Sequence, residues 1–310
     1  NVAFGVGSVT FVKRTPAGWV SVAPSGFDAT LWAVHGTDST NVWAVGEGGR
    51  IYNIDDAGFH QFSRSVISDY VTKLFGTETW VVASQNYGPA MIKDQTPWRS
   101  LNTARCRGGW CNGSTCICAT DSQQRTQFSF DGGTWLQSPQ SFPQNLWDGW
   151  FDTLDHSWFL EGPSSHSVRV VQGDVRQASA TYFADVCQTP DAGLLAIHGA
   201  AGNAWVVGEN GCVAELLVDG GVRSHDLTSV GSLHSVMAVG PGHAWVMSDD
   251  TAYELNDGGV TSYPVPFPSQ YGSARPLWVD SSGVWVGGPN SVFHLDDAGV
   301  WQREVVGIGP

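Results

Sequence analysis

The sequence predicts an all-β chain built from about eight copies of one four-stranded unit. Three observations predict it: one phrase of residues recurs along the whole chain, its period is close to 40 residues, and no window carries the 3.6-residue apolar repeat of a helix. A period near 40 with four short strands per unit is the signature of β-propeller blades. Eight blades is the count the spacing favours, with seven as the alternative.

The phrase is a short apolar run, a turn, a run centred on an aromatic, a Gly-rich turn, a third apolar run, then Asp-Gly and often Trp. Its clearest copy runs Leu31-Trp-Ala-Val-His-Gly36, Asn41-Val-Trp-Ala-Val-Gly46, Arg50-Ile-Tyr-Asn-Ile54, Asp56-Ala-Gly58. A second runs Leu194-Leu-Ala-Ile-His-Gly199, Asn203-Ala-Trp-Val-Val-Gly208, Cys212-Val-Ala-Glu-Leu216, Asp219-Gly-Gly221. The residue at the centre of each second strand is Phe4, Trp43, Trp80, Ile117, Trp158, Trp205, Trp245 or Trp285, at spacings of 39, 37, 37, 41, 47, 40 and 40. Asp-Gly, Asn-Gly and Gly-Gly pairs fall where tight hairpins need left-handed residues. Two β-sandwiches would not keep one phrase in phase throughout, and a parallel solenoid needs shorter repeats. The whole chain, 1–310, therefore reads as one domain with approximate blades 1–27 plus 305–309, 28–66, 67–102, 103–142, 143–184, 185–229, 230–272 and 273–304.

The seam is the informative element. The first unit starts at its second strand (Val2–Gly7), continues with a third (Val9–Arg14) and a fourth (Trp19–Ala23), and has no first. The chain runs past the last fourth strand, Val300–Glu304, into Val305-Val-Gly-Ile-Gly309. Pairing of the N- and C-terminal segments would close the ring, with the tail supplying the missing inner strand and hiding a sheet edge. One spacing disagrees: Trp301 to Gly309 is 8 residues, whereas Trp19 to Gly36 is 17. That leaves open a three-stranded closing blade or residues preceding Asn1.

Composition narrows the function. The net charge is −14, from 29 acidic and 15 basic residues, which disfavours nucleic acid and polybasic membrane contacts, since both need Lys and Arg. No run approaches the ~20 apolar residues of a membrane helix. Asn1 opens no signal peptide, as in a trimmed or mature segment. Six cysteines point to an oxidising compartment and hence to a secreted, periplasmic or cell-surface protein. Cys106, Cys111, Cys116 and Cys118 crowd the first two strands of the fourth blade without the paired C-x2-C spacing of zinc knuckles. Cys111 and Cys116 flank a hairpin turn and so face each other, which leaves Cys106 with Cys118; the other connectivities stay open. Cys187 and Cys212 fall in two connections that emerge on one face of a propeller, so a bridge between them is sensible.

The remaining candidates have structural readings. His35 and His198 occupy one slot at the end of the innermost strand, where Phe75, Phe151, Val239 and Val279 sit nearby in other blades, so the imidazole replaces a packing residue. His156, His166 and His243 lie in turns, and His225 and His234 flank an inter-blade connection. Asp55-Asp56, Asp249-Asp250 and Asp296-Asp297 are turn carboxylates. Most of the 15 tryptophans are packing residues, including Trp32, Trp110, Trp147, Trp150 and Trp278 of the innermost strands. No motif assigns a catalytic residue, metal or cofactor.

Asn41-Val-Trp-Ala-Val-Gly-Glu-Gly-Gly-Arg-Ile51 resembles a repeat of secreted proteins and lipoproteins of myxobacteria and their relatives. It is also similar to the propellers of the photosystem II assembly factor family and to sialidase-type Asp-box propellers. Ser129-Phe-Asp-Gly-Gly-Thr-Trp135 resembles an Asp-box with one residue missing, and an Asp-box is a structural turn. The resemblance implies a blade, and the assembly-factor likeness implies protein binding; no functional residue carries over. The expectation is a non-enzymatic, monomeric scaffold binding a protein or glycan partner. The alternative is an extracellular carbohydrate-active hydrolase or lyase using carboxylates in the funnel. Any ligand site is expected on the face carrying the inter-blade and second-to-third-strand connections, where Tyr87, Arg125, His166, Asp249 and Tyr271 fall.

Overall fold

The computed structural model describes residues 4–7, 10–15, 18–38, 41–55, 58–62, 71–76, 80–85, 91–94, 99–100, 106–120, 126–129, 134–139, 142–162, 169–184, 186–187, 192–266, 276–288, 291–304 and 306–307. Among these residues the strands form eight four-stranded sheets, each an antiparallel meander in chain order except where the C-terminal strand joins the first. The second sheet comprises Leu31–Asp38, Asn41–Gly46, Ile51–Asp55 and Gly58–Phe62, and the sixth comprises Leu194–Ala200, Asn203–Gly208, Cys212–Leu216 and Val222–Asp226. These two sheets hold the two clearest repeat copies, and they fold alike in detail. Both make a 3-10 turn between second and third strands, at Glu47–Gly49 and Glu209–Gly211. At the centre of each turn stands a residue with left-handed backbone, Gly48 at φ 67° and Asn210 at φ 54°, as the two residue types most tolerant of that region allow. The last glycine of the turn is required by space as well: a Cβ on Gly211 would stand 1.8 Å from the Leu227 carbonyl oxygen.

The core lies between sheets. Trp43, Trp158, Trp205, Trp245 and Trp285 are at most 6% exposed, and each faces a neighbouring sheet. Four of them also rest on a ring from the outer strand of their own sheet: Phe62, Phe183, His225 and Tyr263, with centroids 5.3, 5.6, 5.0 and 5.2 Å away. Burial of such rings is the largest apolar contribution a residue makes, so in these five sheets the anchor Trp sets the stacking on the neighbouring sheet. Hydrogen bonds lock the stack: Trp158 Nε1 donates to the Gly202 carbonyl, 3.1 Å away in the first hairpin of the next sheet.

Four expectations change. The C-terminal strand, Val306–Gly307, joins the first sheet (Phe4–Gly7, Thr10–Thr15, Gly18–Ser21) at its outer edge, parallel to Trp19 and Val20, and not at the inner edge. Only residue 305 separates it from Trp301–Glu304, the outer strand of the eighth sheet, and so short a link cannot cross three strand spacings of ~4.8 Å to the centre. The slot opposite the anchors Trp43, Ile117, Trp158, Trp205, Trp245 and Trp285 holds His35, Trp110, Trp150, His198, Met237 and Trp278; Phe75, Phe151, Val239 and Val279 are one or two residues out of register with it. Trp32 and Trp278, expected in the core, are 51% and 52% exposed. Trp278 pairs with Trp285 and so faces the first sheet, which among the described residues has no strand inside Phe4–Gly7 to cover it. His243 begins a strand rather than lying in a turn.

The eighth sheet meets the first through side chains. Trp19 packs edge-on against Trp285 at 6.3 Å. The Arg14 guanidinium stands 4.3 Å from the Trp285 centroid and 3.7 Å from the Glu304 carboxylate. Cysteines pair as Cys106 with Cys118, Cys111 with Cys116, and Cys187 with Cys212, at Cα separations of 5.6, 4.1 and 5.4 Å. A bulge at Arg107 turns Cys106 toward Cys118, two residues along from its register partner Thr120.

Candidate functional site

The most buried polar groups are committed to structure. Glu215 is fully buried in the third strand of the sixth sheet. Its Oε1 accepts from Asn203 Nδ2 at 3.0 Å and from the Gly242 N–H of the next sheet at 2.8 Å, and its Oε2 accepts from Arg223 at 2.8 Å. A carboxylate so satisfied joins two sheets. His198 sits between Trp110 and Trp150, at centroid distances of 5.0 and 6.2 Å, and its Nδ1 accepts the Ala238 N–H at 3.1 Å. Burial drives its pKa down to about 4, with Asp148 opposing weakly, so the ring is neutral at physiological pH. Burial lowers His35 and His225 as well. These are packing imidazoles. Among the described residues no three His, Cys, Asp or Glu side chains converge as metal ligands would.

A groove of about 660 Å³ opens where the sixth sheet hands over to the seventh, whose strands are Ser235–Gly240, His243–Met247, Thr251–Asn256 and Gly259–Pro264. One wall is the inter-sheet connection Leu227–Ser232, and the rim is the Ser248–Thr251 turn between second and third strands. The floor is the outer half of the seventh sheet: Tyr253, Val260, Ser262 and Pro264. Its volume lies within the ~300–1,000 Å³ usual for ligand sites.

The sequence makes these walls rigid. Asp226 caps the connection, accepting the Thr228 N–H at 3.1 Å and hydroxyl at 2.8 Å, and the N–H bond foremost holds its pKa below the usual carboxylate value. The Gly211 N–H reaches the Gly231 carbonyl at 2.9 Å, and the Leu233 N–H reaches Gly208 at 2.9 Å. At the rim, the Thr251 N–H donates to Ser248 Oγ at 3.1 Å, while the Asp250 carbonyl accepts the Val265 N–H at 2.7 Å. Asp249 is 65% exposed at the groove mouth, and one oxygen lies 3.0 Å from His234 Nε2. The lining is thus hydroxyl-rich and acidic at the rim, over an apolar floor whose Val260 is 42% exposed.

Of the residues singled out from sequence, Asp249 lines this groove, in the turn between the second and third strands of the seventh sheet. Tyr87, Arg125, His166 and Tyr271 lie outside the described residues. Tyr253, Val260 and Ser262 were missed. They sit in strands that alternate like all others, and only the register, with Tyr253 opposite Ser262 and Leu255 opposite Val260, brings them beside the connection.

No family model and no curated protein matches the sequence. Solved structures do match across nearly the whole chain. YCF48 from Cyanidioschyzon merolae is 14% identical over 91% of this chain and 97% of its own, with a TM-score of 0.60. A YCF48 bound to D1 peptide is 15% identical over 89% of this chain and 93% of its own, at 0.60. A catalytically inactive virginiamycin B lyase from Staphylococcus aureus with quinupristin is 13% identical over 93% and 95%, at 0.66. At such identities the likeness carries the fold alone, and with the meandering four-stranded sheets it establishes that this chain is a β-propeller.

Proposed function

We propose that the chain is a rigid propeller scaffold that holds a protein segment in the groove beside Asp249. The carrying observation is the groove itself: a cleft of about 660 Å³ whose walls come from two sheets and are held by backbone hydrogen bonds. Binding to preformed walls loses little conformational entropy. YCF48, similar in fold, is known in a form bound to a peptide, which supports the same use of the architecture. In this reading the eight sheets are eight blades of one ring, closed where Trp19, Arg14 and the C-terminal strand meet the eighth. Three disulfides and the likeness of the repeat to secreted myxobacterial proteins support a place outside the cytoplasm.

The test is affinity capture from the native cell surface with the wild-type chain and with Ser262→Arg, which fills the groove from an exposed position. A specific protein retained by the wild type and lost with the variant, at unchanged melting temperature, is expected. Equal capture by both, or retention on a glycan array with no protein captured, would overturn the reading.

A further inference from the structure

Seven of the eight sheets begin with a strand that pairs antiparallel with the second strand of the same sheet. The first sheet begins instead with Phe4–Gly7, and among the described residues no strand pairs with its inner edge. The C-terminal strand Val306–Gly307 lies at the opposite edge, beside Trp19 and Val20. An open edge is a row of backbone donors and acceptors that another strand can extend. We propose that this edge is a strand-acceptor site, which takes an apolar, glycine-bearing polypeptide segment in trans, antiparallel to Phe4–Gly7. The site is separate from the groove beside Asp249 and does not depend on it.

The other seams show what the slot takes. Between the fifth and sixth sheets, Trp150 of the first strand Leu146–Phe151 lies against Gly199 of the next first strand. Between the third and fourth, Phe75 of Val71–Gly76 lies against Gly109 of Cys106–Asn112. Neither glycine leaves room for a Cβ, and the two rings are only 5% and 4% exposed. Trp278 holds the same slot as Trp150, opposite its sheet's anchor and turned to the first sheet, yet it is 52% exposed. Its indole N–H is directed to Asp280 at 3.4 Å, so the ring offers an apolar face. A strand with glycine toward Trp278 would cover that face as Gly199 covers Trp150. Both sides of the strand must be apolar as well. In the sixth sheet Leu194 and Ile197 pack toward the fifth, and Ala196 packs toward the seventh. The edge strand divides in the same way: Phe4 and Val6 pack with Leu31 of the second sheet, while a Cβ on Gly5 would meet Val12 and Trp19, which stand with Trp285 of the eighth. A small polar ligand would satisfy neither the open ladder nor the ring.

The test adds to the whole chain an acetylated peptide amide copying residues 193–200, Gly-Leu-Leu-Ala-Ile-His-Gly-Ala. One twin carries Leu in place of the second glycine, and another is N-methylated from its first Leu to its Ile, which removes the ladder donors. Calorimetry reports affinity, and amide hydrogen exchange read by mass spectrometry reports the place. At saturation the parent peptide is expected to slow exchange over residues 4–7 about tenfold, and to bind about tenfold more tightly than either twin. Trp278→Ala, a change at a half-exposed position, should weaken the parent peptide about threefold to tenfold at unchanged melting temperature. No binding, equal affinity of the parent and either twin, protection elsewhere than 4–7, or indifference to Trp278→Ala would overturn the proposal. So would protein from its native cells whose 4–7 amides exchange as slowly with no second polypeptide present, for the slot is then filled from within the same polypeptide.

Discussion

Replacing Glu215 tests how neighbouring blades are held. The side chain is fully buried and satisfies three donors: Asn203 Nδ2, the Gly242 N–H and Arg223 Nη1. In Glu215→Ala, the guanidinium of Arg223, whose side chain is half exposed, turns to solvent at small cost. The Asn203 amide, on a residue only 9% exposed, and the Gly242 N–H lose their acceptor. Each buried unsatisfied group costs about 1–3 kcal/mol, and the lost methylenes leave a cavity, so about 3–5 kcal/mol is expected in all. Glu215→Gln retains Oε1 for the two buried donors and places an amide group toward Arg223, so about 1–2 kcal/mol is expected. The assay is urea unfolding followed by tryptophan fluorescence, comparing midpoints at constant slope. If the Ala variant falls within 1 kcal/mol of the Gln variant, the reasoning is refuted and the carboxylate is no tie between sheets.

Two further outcomes follow from geometry. His198, pushed by burial from 6.5 to about 4, binds a proton in the unfolded chain before the folded one does. Stability is therefore full above pH 6.5 and falls as pH drops toward 4, by up to about 3 kcal/mol; His198→Gln should flatten the melting-temperature profile across that window, and an unchanged slope would count against the burial argument. Gly211→Ala drives a methyl into the Leu227 carbonyl, whereas Gly48→Ala, at nearly the same φ, meets open space. Thermal melts should show the first losing well over the ~1–2 kcal/mol of left-handed strain that the second pays, and equal losses would mean the wall beside Gly211 yields.

Legibility followed the range of the interactions. The Trp anchors, the hairpin glycines and the four-strand meander could be read from residues because each depends on neighbours within one repeat. The pairing of Cys187 with Cys212 was readable for the same reason, since both connections belong to one blade's geometry. Asp249 could be placed on a face but not in a groove. That groove exists because the connection 227–232 folds back over strands from another repeat, a contact no local pattern encodes.

Sequence alone determined the fold class, because strand alternation and turn chemistry repeat too regularly for any other architecture to bury so many tryptophans. Tertiary structure decided what depends on register and reach. A one-residue offset exchanges the faces of a strand, so only the register shows that Trp150 and Trp278, and not their neighbours Phe151 and Val279, stand opposite the anchors of their sheets. The single residue between Glu304 and Val306 keeps the last strand at the outer edge beside Trp19, where sequence likeness alone had placed it at the centre.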